Sequence, residues 1–446
     1  MLILVESPPF TVFTPVPVSP DPFPESLYNS TAASEEAHVL SKLKPITDDW
    51  TTLIKSLASD TVEAAPDLFD ALASMAATKI PDLVDSLGGL FPMTAVKLPD
   101  HEESLQINSR RSLATVIKCL QSQLQSILPG PKQEVQMEIC VASALILAVS
   151  CSWYDRRQNE FKRHLAGAGA LLHLALTSRH NSDSVRGSPR LKILCNAWIY
   201  LDTMSRLTCL EDNPPDRRNI SLLMTDVFGL ADNELDPLMG CSATLFLLIR
   251  KAVELYRTLR SGTSAYYNAE VISLAAVLQD IKQWKPPISL ESTGYAAAQI
   301  SDVLETAESL RLAALITIHQ CVRFESSYSS YRLAQQVIQH LSKIPMSSSS
   351  VFIHAFPLLV AGCEACRSED REWIRVRWED MSKRVKFRKL DDFWAVTQEV
   401  WRRRASFLIS TRIGSSTELV LPEDLVVVGG FHWASVMGDW RWELLF

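Results

Sequence analysis

The sequence predicts an all-α fold: a large multi-helix array behind a disordered, proline-rich N-terminal arm. Three observations carry this. Apolar residues recur at helical spacing over long stretches, most plainly at Phe161, Leu165, Ala168, Leu171/Leu172 and Ala175/Leu176, an i, i+4, i+7, i+11 stripe. Glycine is scarce, 15 in 446 residues, while leucine and alanine abound, which disfavours the many turns of a β architecture. Seven prolines crowd between Pro8 and Pro24. Proline lacks an amide hydrogen and fixes φ, so residues 1–33 read as an extended, disordered arm and residues 34–446 as the helical domain.

Composition bounds the function. The 47% hydrophobic content suffices for a sizeable core. A net charge of −7 leaves no global basic field to draw in DNA. The nine cysteines are odd in number and scattered, which fits reduced thiols in an intracellular protein rather than a disulfide frame. The N-terminal MLILV lacks a basic flank and is no signal peptide. The apolar run Ile139–Cys151 falls short of the roughly 20 residues needed to span a bilayer, so no membrane partner is expected.

Along the domain, residues 34–60 and 66–90 show weak helical periodicity, and the polar stretch 92–106 reads as a loop. From Arg110, Leu113, Ile117, Leu120 and Leu124 define a helix stopped by Pro129-Gly130-Pro131. Val135–Val149 is apolar all round and must be buried; a break is expected at Ser150–Ser152. The segment Trp153–Leu176 follows, with Gly167 and Gly169 inside a helix where each costs about 1 kcal/mol relative to alanine. Glycines kept at that cost predict a tight crossing with another helix at Ala166–Ala170.

Residues 178–190 are a loop by composition, and Leu191–Leu210 is helical with Leu194, Trp198, Leu201 and Met204 on its apolar side. After an acidic loop, Asp236-Pro237 sets a turn and Gly240 lets the chain bend before Ser242 or Thr244 caps the helix Leu245–Leu259. Helices are expected at 265–284, 295–321 and 328–342, then a serine run at Ser347–Ser350, a helix from Phe356, a long basic helix over 373–404 and an aromatic tail from Trp433.

Several of these stretches resemble one family. His164-Leu165-x-Gly167-Ala168-x-x-Leu171-Leu172, Tyr200-Leu201-Asp202, Asp236-Pro237-Leu238-Met239-Gly240-Cys241-Ser242 and the run from Phe356-Pro357 to Gly362-Cys363, with Arg371 beyond it, are similar to the second type of fungal-specific transcription factor regulatory domain. That domain belongs to the zinc-binuclear-cluster transcription factors. The resemblance implies an all-α regulatory array acting on RNA polymerase II transcription in the nucleus. It implies other transcription regulators or a second copy as partners, room for a small-molecule effector, and structural rather than catalytic roles for His164, Gly167, Ala168, Asp202, Asp236, Pro237, Gly240, Pro357 and Gly362. The six closely spaced cysteines of the family's DNA-binding module do not occur, so DNA would be reached only indirectly or through a module absent from this chain. An adaptor or inhibitor that pairs with full-length relatives, and an all-α enzyme of unrecognised type, are the competing readings.

No chemistry stands out beside this. Cys363-x-x-Cys366 lacks the second ligand pair of a structural zinc site and reads as buried thiols, with no metal. Gly167-x-Gly169 lacks the third glycine of a dinucleotide fingerprint. Gly240-Cys241-Ser242-Ala243-Thr244 is not a nucleophile elbow, and Asp391-Asp392 lacks the third carboxylate of a magnesium-binding helix. No catalytic residue and no cofactor is expected. The run Lys383, Arg384, Lys386, Arg388 and Lys389 reads first as the solvated face of a helix and second as a nuclear-import patch.

Overall fold

The computed structural model describes Ala65, Asp67, Leu68, residues 115–125 and, with breaks mostly between helices, residues 133–442. The proline-rich arm, most of the expected helices at 34–60 and 66–90, and the loop 92–106 lie outside the described residues. The chain divides at Leu43/Lys44, and every described residue belongs to the larger unit.

Among the described residues the fold is all-α, with no strand. Residues 115–125 are helical. Twelve further α-helices follow: α1 Gln133–Tyr154, α2 Glu160–His180, α3 Pro189–Thr208, α4 Ile220–Phe228, α5 Ala243–Ser261, α6 Tyr267–Gln283, α7 Ala297–Cys321, α8 Ser330–Ser342, α9 Ala355–Glu364, α10 Ser368–Val385, α11 Lys389–Thr411 and α12 Trp433–Trp440. A 3₁₀ helix, Ser349–His354, runs directly into α9.

Two expected boundaries are corrected. The serines at 150–152 do not break the helix, and α1 runs on to Tyr154. A serine hydroxyl can bond a carbonyl of the preceding turn, so it need not end a helix. The basic segment is two helices rather than one, α10 ending at Val385 and α11 starting at Lys389.

Burial explains the order of the layers. α1 packs along α2, and α2 contacts both α3 and α4; α3 packs on α5, α5 on α6 and α7, and α7 on α8 and α9. α9 then contacts α8, α10 and α11, while α12 returns to α11 and α3. Two helices are the hubs. α9 is buried along its whole length, Ala355 to Glu364, as its sequence AFPLLVAGCE requires. α3 buries Trp198, Tyr200, Leu201 and Met204 but also Asn196, Asp202 and Arg206, so its interior face carries polar groups that must be matched.

α1 makes the same point from its charges. Gln133–Cys151 is long and apolar enough to cross a membrane by length and composition, yet 67% of that window is buried inside the fold. Within it, Glu138 is buried and pairs with Arg190 of α3 at 2.9 Å.

Candidate functional site

The family-like residues gather at three places in the core, and each is built from the partner that its backbone or charge demands. The first is the α2–α3–α5 crossing. Trp198 on α3 donates from its indole Nε1 to the carbonyl of Leu165 on α2 at 2.9 Å. A Cβ added to Gly169 would stand 2.8 Å from Cζ2 of that ring, closer than atoms approach. Gly169 therefore admits the indole. Gly167 is exposed and would meet nothing within 4 Å, so only one of the two glycines makes the crossing. Ala168 is fully buried, His164 half-buried, and Ala166 and Ala170 face solvent.

The outer face of the same indole carries a cation. The Arg250 guanidinium of α5 sits 5.2 Å above the Trp198 ring and donates through Nε to Asp202 Oδ2 at 2.9 Å. Arg206 Nε donates to the same oxygen at 2.7 Å. Glu254 completes the set, 3.3 Å from Arg250 and 3.8 Å from Arg206. The shared Asp202 carboxylate is matched by two guanidiniums, which compensates for the burial of Asp202, Arg206 and Arg250.

The second place is the turn before α5. Asp236 Oδ1 accepts from the amides of Leu238 at 2.9 Å and Met239 at 2.7 Å, and Oδ2 accepts from Asn196 Nδ2 of α3 at 2.8 Å. The backbones of Asp236 and Gly240 exchange two hydrogen bonds of 2.8 Å, an isolated antiparallel bridge. Gly240 takes φ +58°, and a Cβ there would lie 2.6 Å from Val303 Cγ1 on α7. Burial raises the Asp236 pKa, opposed by its bonds from Met239, Asn196 and Leu238 and by the charge of Lys192. Pro237 lies outside the described residues. Neither expected cap forms: Ser242 Oγ is buried without a hydrogen-bond partner, and Thr244 Oγ1 accepts instead from Trp284 Nε1 at 3.0 Å.

A depression opens beside this turn, lined by Asp236, Met239, Gly240, Val303, Thr306 and Ile353 among others. Its cavity volume of ≈ 20 Å³ holds about one water, far below the roughly 300 Å³ of a small ligand site. Behind it, Thr306 Oγ1 and His354 Nε2 are 2.9 Å apart. Burial, then the charges of Arg377 and Arg384, push the His354 pKa down to about 3, so the imidazole is neutral.

The third place is the C-terminal end of α9. A Cβ on Gly362 would meet Ile374 and Thr397 methyls at 3.2 Å. The last carbonyls of the helix are taken by side chains from α10 and α11: Trp401 Nε1 donates to Gly362 O at 2.7 Å, Arg404 Nη1 to Cys363 O at 2.6 Å, and Arg371 Nε to Ala365 O at 3.1 Å. Cations at a helix C-terminus also oppose its dipole favourably. Arg371 lies 4.8 Å over the Trp401 ring. Pro357 is buried in the first turn of α9, where proline is tolerated. Cys363 is fully buried, and burial raises the pKa of both Cys363 and Cys366; neither is disulfide-bonded. Among the described residues, no group of three or more His, Cys, Asp or Glu lies close enough to hold a metal ion.

The basic run is only partly described. Lys383 is exposed and pairs with Asp380 at 3.2 Å, and Arg384 donates to Ser347 O at 3.0 Å. Lys386, Arg388 and the side chain of Lys389 lie outside the described residues.

The segments that the sequence pattern marks contain some, and not all, of the residues that make these contacts. The choice of Gly169 over Gly167 and the contacts made by Arg206, Arg250, Trp401 and Arg404 were not anticipated. The first had a signal in the sequence. Gly169 stands about 40° from Leu165 around a helix of 3.6 residues per turn, on the apolar stripe, whereas Gly167 stands about 200° away.

The geometry is thus that of a scaffold held by polar bonds inside an apolar helical core. No significant match came from comparison with curated proteins or with solved structures. The family model of the fungal specific transcription factor domain matches residues 36–446, which takes in all three places described above. The chain belongs to the family of the fungal specific transcription factor domain and is by that membership a fungal transcriptional regulator.

Proposed function

We propose that this chain regulates transcription by RNA polymerase II from within the fungal nucleus, through contacts with other transcription regulators or with a second copy of itself. The observation that carries the reading is the family match over residues 36–446, nearly the whole domain. The match supports a regulator rather than an enzyme. DNA is reached indirectly or through a module absent from this chain, since no six-cysteine zinc module stands in the sequence. The same feature favours a second reading, an adaptor or inhibitor that pairs with zinc-cluster relatives. The basic residues Lys383, Arg384, Lys386, Arg388 and Lys389, which read first as a solvated helix face, are the candidates for nuclear entry.

The test is to tether the full chain to a heterologous DNA-binding domain upstream of a reporter in a fungal host. A regulator acting through protein contacts raises or lowers reporter output; output equal to that of the DNA-binding domain alone contradicts the reading. In the adaptor case, the untethered chain changes the output of a full-length relative that it co-purifies with.

A further inference from the structure

We propose that Ser347 is a phosphorylation site and that Arg384 and Arg377 form the cradle for its phosphate. This inference stands on the loop between α8 and the 3₁₀ helix and does not depend on the function proposed above. The loop carries four consecutive serines, Ser347–Ser350, for which the packing of the core gives no reason.

The four are not equivalent. Ser348 Oγ accepts from the Ser350 amide at 3.4 Å and lies 3.0 Å from Ser350 Oγ, so both hydroxyls are committed to starting the 3₁₀ helix. Ser349 lines the same depression as the acidic Asp236, an unfavourable neighbour for a phosphate. Ser347 is exposed, and its hydroxyl makes no hydrogen bond among the described residues.

Among the described residues the cations beside it are not matched by carboxylates, although Arg377 lies 5.9 Å over the Trp373 ring. Arg384 Nη2 holds the Ser347 carbonyl at 3.0 Å, which places the guanidinium within one side-chain length of the hydroxyl. Arg377 Nη2 holds the Ile344 carbonyl at 3.1 Å, three residues earlier in the same loop. Arg377 is only 8% exposed, and its Nε is buried without a hydrogen-bond partner. Neither guanidinium has a carboxylate within ion-pair distance among the described residues. Asp380 acts on Arg377 from farther off and is itself bonded to Lys383. Lys343, at the start of the loop, is held by Glu305 at 3.0 Å. Other arginines of α10 and α11 contrast with them: Arg375 pairs with Glu372 and Glu379, and Arg402 and Arg403 both pair with Glu399. The charges of Arg377 and Arg384 both reach His354, which stays neutral, so no nearby cation competes for the site from that side. A dianion bridging two guanidiniums gains charge-assisted, bidentate bonds that the carbonyls alone do not supply.

The modifying step is phosphoryl transfer from ATP in a protein kinase. Ser347 Oγ bonds to the γ-phosphorus, and the bond from that phosphorus to the β–γ bridging oxygen breaks. ADP leaves with the electron pair, and the hydroxyl proton passes to the kinase's general base. The phosphate then bridges the loop to α10 and fixes the entry to the 3₁₀ helix and α9.

The experiment uses the full chain with phosphoserine encoded at position 347, with a second protein modified at 349 and a third carrying Arg384→Ala beside phosphoserine 347. Titration followed by ³¹P resonance places the phosphate of 347 about one pH unit below the ~6 of free phosphoserine. Its Tm rises by about 1–3 °C over the unmodified chain. Arg384→Ala returns about half of the titration shift, and phosphoserine at 349 lowers Tm. Phosphopeptide mapping of the chain expressed in a fungal host finds phosphate on Ser347. A phosphate at 347 that titrates near 6 without raising Tm, a shift unchanged by Arg384→Ala, or an unmodified Ser347 in the mapped chain each overturns the proposal.

Discussion

Trp198 reaches across from α3 to α2 and gives its indole hydrogen to the carbonyl of Leu165, 2.9 Å away, a bond inside the helix rather than at its end. The ring is buried and has Gly169 against one part of its edge and Arg250 over its face. Replacing it with phenylalanine keeps an aromatic surface but removes the donor and leaves a void. Trp198→Phe is expected to cost about 2 kcal/mol, read as a lower midpoint in urea with an unchanged slope.

Asp202 neutralises two buried arginines at once. Asp202→Ala removes the carboxylate that both Arg206 and Arg250 hold, at a cost of about 3–5 kcal/mol. Replacing Asp202, Arg206 and Arg250 together with apolar residues of similar volume recovers most of that loss. Urea unfolding of the single and triple variants measures both.

Gly240 meets two separate constraints, a positive φ and the Val303 side chain. Gly240→Ala is expected to destabilise by about 2–4 kcal/mol. Adding Val303→Ala relieves the contact but not the backbone strain, so the double variant recovers only part relative to Val303→Ala alone. A double-mutant cycle in thermal unfolding separates the two terms.

His354 sets a pH dependence. Its folded pKa of about 3 lies below the ordinary 6.5, so the unfolded chain takes up a proton that the folded chain refuses. That stabilisation is full above pH ~6.5 and is lost as pH falls towards 3, at up to about 1.4 kcal/mol per pH unit. Asp236 runs the other way: its raised pKa gives stabilisation below the ordinary carboxyl range that is lost as pH rises. Glu399, lowered to about 2 chiefly by its bond from Arg402, adds to acid lability at lower pH. Stability curves of the parent and His354→Gln between pH 7 and 4 are expected to converge as pH falls.

The helices and the order of the family-like segments were legible because both are written in local periodicity and short motifs. α2 and α3 follow from their apolar stripes, and α9 from an unbroken apolar run between polar flanks. What was not legible depends on partners distant in the chain. Arg250 meets Asp202 across 48 residues, and Arg404 meets the Cys363 carbonyl across 41, and no spacing rule anticipates either. Ser150–Ser152 looked like a break because serine is read as a turn former, yet a buried serine inside a long apolar helix stays helical. At 167–169 the sequence held the answer: two glycines two residues apart point to opposite sides of a helix, and only one of them shares the stripe of Leu165 and Leu172.

That difference in direction also gives the most direct test of the scaffold. Thermal unfolding of Gly167→Ala and Gly169→Ala, compared with the parent chain, changes one methyl group at each position. At residue 167 the methyl enters open solvent, so helix propensity alone acts and stability rises by up to about 1 kcal/mol. At residue 169 it meets the Trp198 ring and stability falls by about 1–3 kcal/mol. Shifts of Tm in opposite directions are the expected result. Two shifts of the same sign, or a neutral Gly169→Ala, would contradict a core built on the Gly169–Trp198 crossing.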